Sequence, residues 1–304
     1  MTQLLIEQAL NGLQFGLMLF LLAAGLTLVF GIMDMINLAH GSLYMAGAYF
    51  AAAATQASGS FVVGIAVAML ATALLGALVE FVLLRRLYAR SHLAQVLATF
   101  ALILIFNEAV RVIWGAQPVL LNAPDEFSGP VNIGGFFYPS YRLLIIVVGA
   151  FVAALLYVLV TRTRVGMWVR AGASNREMTE ALGINVRLLF TAVFAFGAAL
   201  CALAGALLGP LLAVEVGMGE SILILAFVVI VIGGIGSMRG ALVGSLLVGL
   251  VDTLGRAALP ALLRSVLSAD VASNLGPALA SILIYVLMAA VLFWRPEGLF
   301  PARG

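Results

Sequence analysis

The sequence contains no lysine, only two histidines and a single cysteine, and 9% of its 304 residues are charged. The phosphate-binding loop of ATPases requires a lysine, so this chain cannot carry that loop in its usual form. A lone Cys201 excludes an internal disulfide. His40 and His92 have no carboxylates at metal-ligand spacing, and no Ser-His-Asp pattern is present. The sequence therefore predicts no catalytic residue, no metal site, no cofactor bound by this chain and no enzyme activity.

Apolar residues make up 64% of the chain, and the mean hydropathy is +1.20. Soluble domains carry about 25% charged residues, so this composition indicates a polytopic membrane protein. The net charge of +2 gives no support to nucleic-acid binding. The first residues, MTQLLIEQAL, have no basic region and include Glu7, so we expect no cleavable signal peptide there.

The apolar segments predict an all-α transmembrane helical bundle of about 8–9 spans, because about 20 apolar residues cross a bilayer. Residues 1–304 are expected to form a single transmembrane domain. Between two of the spans, residues 114–140 form a loop with several prolines, and VNIGGFFY predicts a small hairpin around its Gly-Gly turn. The predicted spans are Leu4–Phe30, Ser42–Ala54, Phe61–Leu84, Leu93–Ile113, Tyr141–Val160, Leu188–Leu212, Ile222–Gly236, Ala241–Ala258 and Leu275–Trp294.

The longest polar interruption is Thr161–Arg187, which contains five arginines. Short arginine-rich loops stay in the cytoplasm. Ser174 as N-cap, with Glu177 three residues later, predicts a short helix that ends near Gly183 and Asn185. A helix this short is not stable alone, so we expect it to rest on the bundle and to offer a surface to a partner protein. Its apolar side is predicted to comprise Met178, Ala181, Leu182 and Ile184, with Arg176, Glu177 and Glu180 facing elsewhere.

The arginine distribution predicts the orientation, because positively charged loops are retained inside. Successive spans cross the membrane in alternating directions, so two orientations are possible. One of them places most of the 15 basic residues in the cytoplasm and leaves Arg111, Arg142, Arg256 and Arg264 outside. The N-terminus is then outside, the 114–140 loop is extracytoplasmic and the C-terminus is cytoplasmic. The predicted inside residues are Arg85, Arg86, Arg90, Arg162, Arg164, Arg170, Arg176, Arg187, Arg239, Arg295 and Arg303.

Glycine-rich interruptions occur once in each half of the chain, within Phe30–Ala48 and Val231–Gly249. Paired interrupted segments are typical of transporters with an internal two-fold repeat and broken helices near the substrate route. Ordinary surface turns are the alternative; for Gly31–Gly41 we favour the break, and for Gly233–Gly240 both readings stay open. The predicted pathway residues are Asp34, Asn37, His40, Gly41, Asn107, Gly233, Gly234 and Gly236.

The remaining charges have structural explanations. Glu108 with Arg111, and Asp252 with Arg256, have the spacing of neutral pairs along one helix face, which we favour over a substrate role. Asn107 has no such partner in the sequence, so a pathway role or an interhelical hydrogen bond stays open for it.

Four stretches resemble the permease subunits of branched-chain amino acid ABC transporters, and they span nearly the whole chain in the right order. Asn-Leu-Ala-His-Gly resembles the H-type member of the two paired permeases of that system. The stretches are GLTLVFGIMDMINLAHGSLYMAGAY (Gly25–Tyr49), RVGMWVRAGASNREMTEALGINV (Arg164–Val186), AFVVIVIGGIGSMRGALVGSLLVG (Ala226–Gly249) and WRPEGLF (Trp294–Phe300).

The resemblance implies a heterodimer with a second related permease, two cytoplasmic ATPases that use ATP and Mg, an extracytoplasmic substrate-binding protein and a bacterial plasma (inner) membrane location. It also implies that Ala171–Asn185 is the coupling helix. Glu180, Ala181 and Gly183 match the Glu-Ala…Gly loop of importers, although the spacing to the glycine is shorter here. The implied ATPase-coupling residues are Arg176, Glu177, Glu180, Ala181, Gly183 and Asn185.

The function predicted from these observations is a translocation pathway for branched-chain or related hydrophobic amino acids, driven by ATP hydrolysis in partner subunits. One alternative is an importer of the same class that carries urea or short amides. The alternative from a different class is a secondary transporter or channel that uses Asp34 or Glu108 as its coupling carboxylate.

Overall fold

The computed structural model describes residues 2–35, 37–265 and 267–300 as an almost wholly helical protein. Its elements are α1 Thr2–Met33, α2 His40–Ser58, α3 Phe61–Val82, α4 His92–Trp114, β1 Pro130–Ile133, β2 Phe136–Pro139, α5 Ser140–Arg162, α6 Arg164–Ser174, α7 Arg176–Ala181, α8 Val186–Leu208, α9 Met218–Gly233, α10 Met238–Leu263 and α11 Ala269–Trp294.

Seven of the described helices, α1, α3, α4, α5, α8, α10 and α11, are long and apolar enough to cross a bilayer. The prediction of 8–9 spans also included α2 and α9. Helix α9 is apolar but has only 16 residues, and the first two-thirds of α2 is buried by its neighbours. The structure therefore confirms a polytopic helical bundle, with seven long apolar helices among the described residues and two helices, α2 and α9, packed between them. We refer to α2 and α9 as the partial spans.

The helix packing has an inverted internal repeat, with α1–α4 equivalent to α8–α11 and α5 between the two halves. Helix α1 packs against α10, and its counterpart α8 packs against α3. Likewise α2 packs against α8, and α9 packs against α1. Inverted repeats of this kind recur in transporters.

Glycine pairs allow the backbones of the two halves to touch on the repeat axis. A Cβ atom added to Gly25 of α1 would lie 2.9 Å from the carbonyl oxygen of Gly197 in α8. Where α2 meets α9, Gly41 contacts the backbone of Gly219 even more closely. Small residues permit such close approach where no hydrophobic effect drives helices together. The first turns of the two partial spans therefore meet inside the bundle.

The repeat changes which interruptions are equivalent. The link between α1 and α2, around Asp34 and Asn37, corresponds to the link between α8 and α9, residues 209–217. Gly233–Gly240 joins α9 to α10 and corresponds instead to the short turn between α2 and α3. The prediction that the two glycine-rich motifs occupy equivalent positions in the repeat was therefore wrong. Glycine-rich composition occurs both in tight turns and in broken helices, so it cannot tell them apart.

The bundle has two distinct ends. We call the end that carries Arg85, Arg176 and Arg239 the arginine-rich end. The opposite end, which we call the loop end, carries the 115–139 segment. There β1 and β2 pair antiparallel around Gly134 and Gly135, both with positive φ (58° and 98°), and this confirms the predicted hairpin.

Candidate functional site

The arginine-rich segment folds as two helices, α6 and α7, rather than as one. The N-cap of α7 is Asn175, whose Oδ1 accepts a hydrogen bond from the Met178 amide at 2.9 Å, so the predicted Ser174 cap was one residue early. Gly183 ends the turn with φ +86°, as predicted from its lack of a side chain. Asn185, which was also predicted to lie at the end of this short helix, belongs instead to the start of α8. Its Oδ1 caps α8 by accepting from the Leu188 amide at 3.0 Å.

The predicted apolar side of α7 does not face the bundle, although Glu177 and Glu180 face outward as predicted. Met178 is 60% exposed and Leu182 is 74% exposed, whereas Thr179 is only 2% exposed. Glu177, Glu180 and Ala181 also point outward. The apolar side is therefore presented at the arginine-rich surface, because a different residue, Arg176, supplies the attachment to the bundle.

Arg176 reaches the last turn of α1. Its Nη2 donates to the carbonyl oxygens of Ile32 at 3.1 Å and Met33 at 2.7 Å. These carbonyls have no partner within the helix, and a cation is favoured at a helix C-terminus. The guanidinium also lies over the ring of Phe190 in α8, 4.9 Å from its centroid. Helix α7 is thus tied to the turn that immediately precedes the 34–39 link.

A buried carboxylate extends this cluster to α3. Glu80 is fully buried and accepts hydrogen bonds from Arg85 Nη2 at 3.0 Å, Tyr88 OH at 2.8 Å and Thr191 Oγ1 at 2.7 Å. Burial and the hydrogen bond to Glu80 raise the pKa of the Tyr88 hydroxyl, so it remains a donor. Tyr88 packs edge-on against Phe190, so α3, α7 and α8 meet at one place. The sequence gives the Glu80–Arg85 spacing but no signal for Thr191.

The first break brings Asn37, His40 and Gly41 together in the interior. Asn37 and His40 are both fully buried. Asn37 Oδ1 accepts from the Ala39 amide at 3.0 Å, and His40 Nε2 lies 3.0 Å from the Cys201 sulfur. Asn37 Nδ2 and His40 Nδ1 have no partner among the described residues. Asp34 does not join them, because it lies exposed at the end of α1 with φ +48°.

Gly233, Gly234 and Gly236 form a compact turn at the arginine-rich end. Gly233 contacts Gly240 across the turn, and Gly234 and Gly236 have φ of 103° and 78°. The amide of Phe300 donates to the Gly233 carbonyl at 2.9 Å, so the C-terminal tail covers the turn. Gly31 of α1 packs against Gly236. The turn thus touches the last turns of α1.

Two further predicted positions lie towards the loop end. Asn107 of α4 donates to Glu220 Oε1 of α9 at 2.6 Å, an interhelical hydrogen bond. Glu108 pairs with Arg111 at 3.0 Å, as its spacing predicted, and both side chains are exposed. Among the described residues, no three His, Cys, Asp or Glu side chains converge as metal ligands would.

The inverted repeat, the partial spans that meet at its axis and the attached surface helix define a multi-pass membrane transport permease. Residues 8–292 match the family described as the branched-chain amino acid transport system permease component, and the chain belongs to that family.

Characterised relatives cover the same length. The chain is 32% identical to the high-affinity branched-chain amino acid transport system permease protein BraD of Pseudomonas aeruginosa, over 97% of this chain and 95% of BraD. It is 30% identical to the corresponding protein LivH of Escherichia coli K12, over 96% of each chain. A partial match, 31% identical over 47% of this chain and 40% of the relative, is to the fructose import permease protein FrcC of Rhizobium meliloti. No solved structure matches the chain significantly.

Proposed function

We propose that this chain is a permease subunit of an ATP-driven importer for branched-chain or related hydrophobic amino acids. A second related permease, two cytoplasmic ATPases that use ATP and Mg, and an extracytoplasmic binding protein complete the importer. The arginine-rich end faces the cytoplasm of a bacterial inner membrane, since arginine-rich segments are retained there. Family membership, and the branched-chain amino acid transport systems to which BraD and LivH belong, support the substrate class.

The observation that carries this proposal is the exposed apolar side of α7. Met178 and Leu182 are exposed on a helix whose other outward residues include Glu177 and Glu180. Exposed apolar residues rimmed by charges are typical of protein–protein contact sites. Because Arg176 holds the same helix to α1, force applied at Leu182 by an ATPase reaches the 34–39 link directly.

Neither carboxylate of the secondary-transport alternative has the surroundings of an ion-coupling site. Asp34 is exposed at the arginine-rich end, and Glu108 is exposed and paired with Arg111. Intramembrane coupling carboxylates face the bundle interior or a watery cavity. Asn37, His40 and Gly41 are the better pathway candidates, since they lie buried at the repeat axis with polar atoms that have no partner.

The test is substitution of the exposed side chain at α7. We expect Leu182→Glu to weaken ATPase co-purification by at least about tenfold, as for a centrally placed contact residue. The control is Leu120→Glu, since Leu120 is equally exposed but lies at the loop end. Both variants are purified in mild detergent and assayed for bound ATPase and ATP-driven leucine uptake. Unchanged ATPase binding and uptake in Leu182→Glu would rule out α7 as the coupling contact.

A further inference from the structure

At the loop end, α1, α5 and α10 surround an open cavity of about 430 Å³ that none of the predicted pathway residues lines. Small-molecule sites are typically about 300–1,000 Å³, so the volume suits a free amino acid. Polar groups of both signs line it, together with the apolar side chains of Phe15 and Ala257. The polar lining residues are Gln8, Asn11, Gln14, Arg142, Asp252, Thr253 and Arg256.

Arg142 lines this cavity, and hydrogen bonds within the protein engage only part of its guanidinium group. Arg142 Nη1 donates to Asn11 Oδ1, which also accepts from the Tyr138 hydroxyl at 2.9 Å. Burial raises the pKa of Tyr138, so it stays a donor and holds Asn11 with its oxygen turned towards Arg142. The Arg142 guanidinium also lies close to the Tyr138 hydroxyl. With five N–H groups, it keeps donors beyond these two contacts. A fixed guanidinium with free N–H groups suits a carboxylate.

A second polar group lines the cavity. Gln14 is 4% exposed, and its amide makes no hydrogen bond to any described residue, so the amide is open to the cavity. An amide offers both donors and an acceptor to a bound molecule. Gln14 lies one helical turn below Asn11 on α1, on the same side of the cavity as the Arg142 guanidinium.

The α10 side of the lining carries an ion pair. Asp252 accepts from Arg256 Nε at 2.9 and 3.0 Å, and Arg256 Nη2 donates to Ser281 of α11 at 3.0 Å. The predicted neutral pair is thus confirmed, and it is anchored to a third helix. A carboxylate has about four acceptor positions, so Asp252 can still receive an ammonium group.

Glycine contacts hold α1 and α10 together beside this cavity. A Cβ atom on Gly16 would lie 2.8 Å from the Ser245 carbonyl oxygen, and Gly12 touches the backbone of Leu250.

We propose that this cavity is an entry site for a free amino acid, with Arg142 and Gln14 holding the α-carboxylate and Asp252 receiving the α-ammonium. Phe15 and Ala257 face its small apolar side chain. This inference rests on the proposed function for the identity of the ligand, but its test measures occupancy rather than uptake.

The test uses a cysteine in the cavity wall. Ala257→Cys introduces a thiol there, and the native Cys201 is fully buried, so the unsubstituted chain is the unlabelled background. Membrane vesicles containing the chain with its partner subunits are treated with a membrane-impermeant methanethiosulfonate, and the modification rate of this chain is measured by mass spectrometry. With a Kd of about 1 mM, ~10 mM L-leucine is expected to slow the labelling roughly tenfold.

The ligand's two charges are tested separately. Leucinamide lacks the carboxylate and 4-methylpentanoate lacks the ammonium, so each is expected to protect far less than leucine. Arg142→Gln or Gln14→Leu, added to Ala257→Cys, should abolish protection, measured in each variant as the ratio of the labelling rates without and with leucine. Arg142→Lys should keep part of the protection. The control Arg264→Gln removes an exposed arginine at the same end that does not line the cavity, and should leave protection intact.

Three results would overturn the entry site. These are no protection by leucine, equal protection by inorganic phosphate, or full protection in Arg142→Gln. The proposed function is judged separately by ATP-driven uptake in the same preparation. Leucine protection without uptake would refute the importer and retain the site, whereas uptake without protection would do the reverse.

Discussion

At the scale of single residues, the most demanding position is Glu80, a carboxylate with no exposure at all. Three donors from Arg85, Tyr88 and Thr191 satisfy it, and Arg85 is itself 28% exposed. A buried charge is stable only when it is paired and hydrogen-bonded, so the cluster holds α3 to α8 through Thr191 at the arginine-rich end.

Glu80→Gln should therefore destabilise the protein clearly. The amide cannot replace the charge, and loss of hydrogen bonds to a charged group costs about 1.5–3 kcal/mol. Glu108→Gln is the matched control, because the exposed Glu108–Arg111 pair contributes about 0–1 kcal/mol. Thermal unfolding in detergent should show a lower midpoint for Glu80→Gln than for Glu108→Gln. Equal midpoints would show that Glu80 does not stabilise this end.

His40 is the residue to test for the pathway. It is fully buried beside Cys201, and no described residue hydrogen-bonds its Nδ1 side-chain atom, so leucine could replace its volume without breaking an ion pair. We expect His40→Leu, and likewise Asn37→Leu, to reduce uptake more than Glu108→Gln at matched expression. The measurement is initial uptake rate in vesicles energised with ATP. If Glu108→Gln is equally or more impaired, the route lies elsewhere.

At the scale of elements, the two sides of α7 have different surroundings. Its outward side is apolar and exposed, and its inward side attaches through Arg176 to the last carbonyls of α1. Helix α1 then leads straight into the 34–39 link and the partial span α2. In the proposed importer, a displacement of α7 is therefore expected to move the residues around Asn37 through this attachment.

Arg176→Gln should uncouple ATP hydrolysis from transport. Losing charge-assisted hydrogen bonds worth about 1.5–3 kcal/mol corresponds to a reduction in uptake of about tenfold or more per ATP hydrolysed. Met178 and Leu182 are untouched, so ATPase binding should persist. Arg187→Gln, an exposed arginine of the same segment, serves as the control. A normal ratio of uptake to hydrolysis in Arg176→Gln would contradict this role.

At the scale of the whole molecule, the inverted repeat places two partial spans end to end at its axis. Gly25 with Gly197 and Gly41 with Gly219 bring backbones into direct contact there. In the proposed importer, transport therefore requires one half to move relative to the other at this axis, and the partner ATPases are expected to drive that movement.

The chain reconstituted alone in vesicles should therefore not accumulate leucine against a gradient. Vesicles that also contain the ATPases and the partner permease should accumulate it when ATP and binding protein are present. An ionophore that collapses proton or sodium gradients should leave this uptake unchanged. Uphill uptake by the chain alone would refute the dependence on external ATPases.

The sequence by itself determined the class of protein and much of its local structure. Apolar runs long enough to cross a bilayer predicted the helices, and the Gly-Gly dipeptide predicted the hairpin. The spacing of the charged residues predicted the Glu108–Arg111 and Asp252–Arg256 ion pairs. These features are local, since each depends on residues a few positions apart. The motifs in Gly25–Tyr49 and Arg164–Val186 also identified the family.

Only the tertiary structure decided which way α7 faces, which interruptions are equivalent, and that Asn107 meets Glu220. The sequence pattern predicts that Met178 and Leu182 face the bundle. In the structure Arg176 binds the carbonyls of Ile32 and Met33 instead, and Met178 and Leu182 are exposed. The cavity likewise combines residues of α1, α5 and α10 that are distant in the chain. Composition cannot give such placements, because they follow from which backbones approach closely enough to satisfy each polar group.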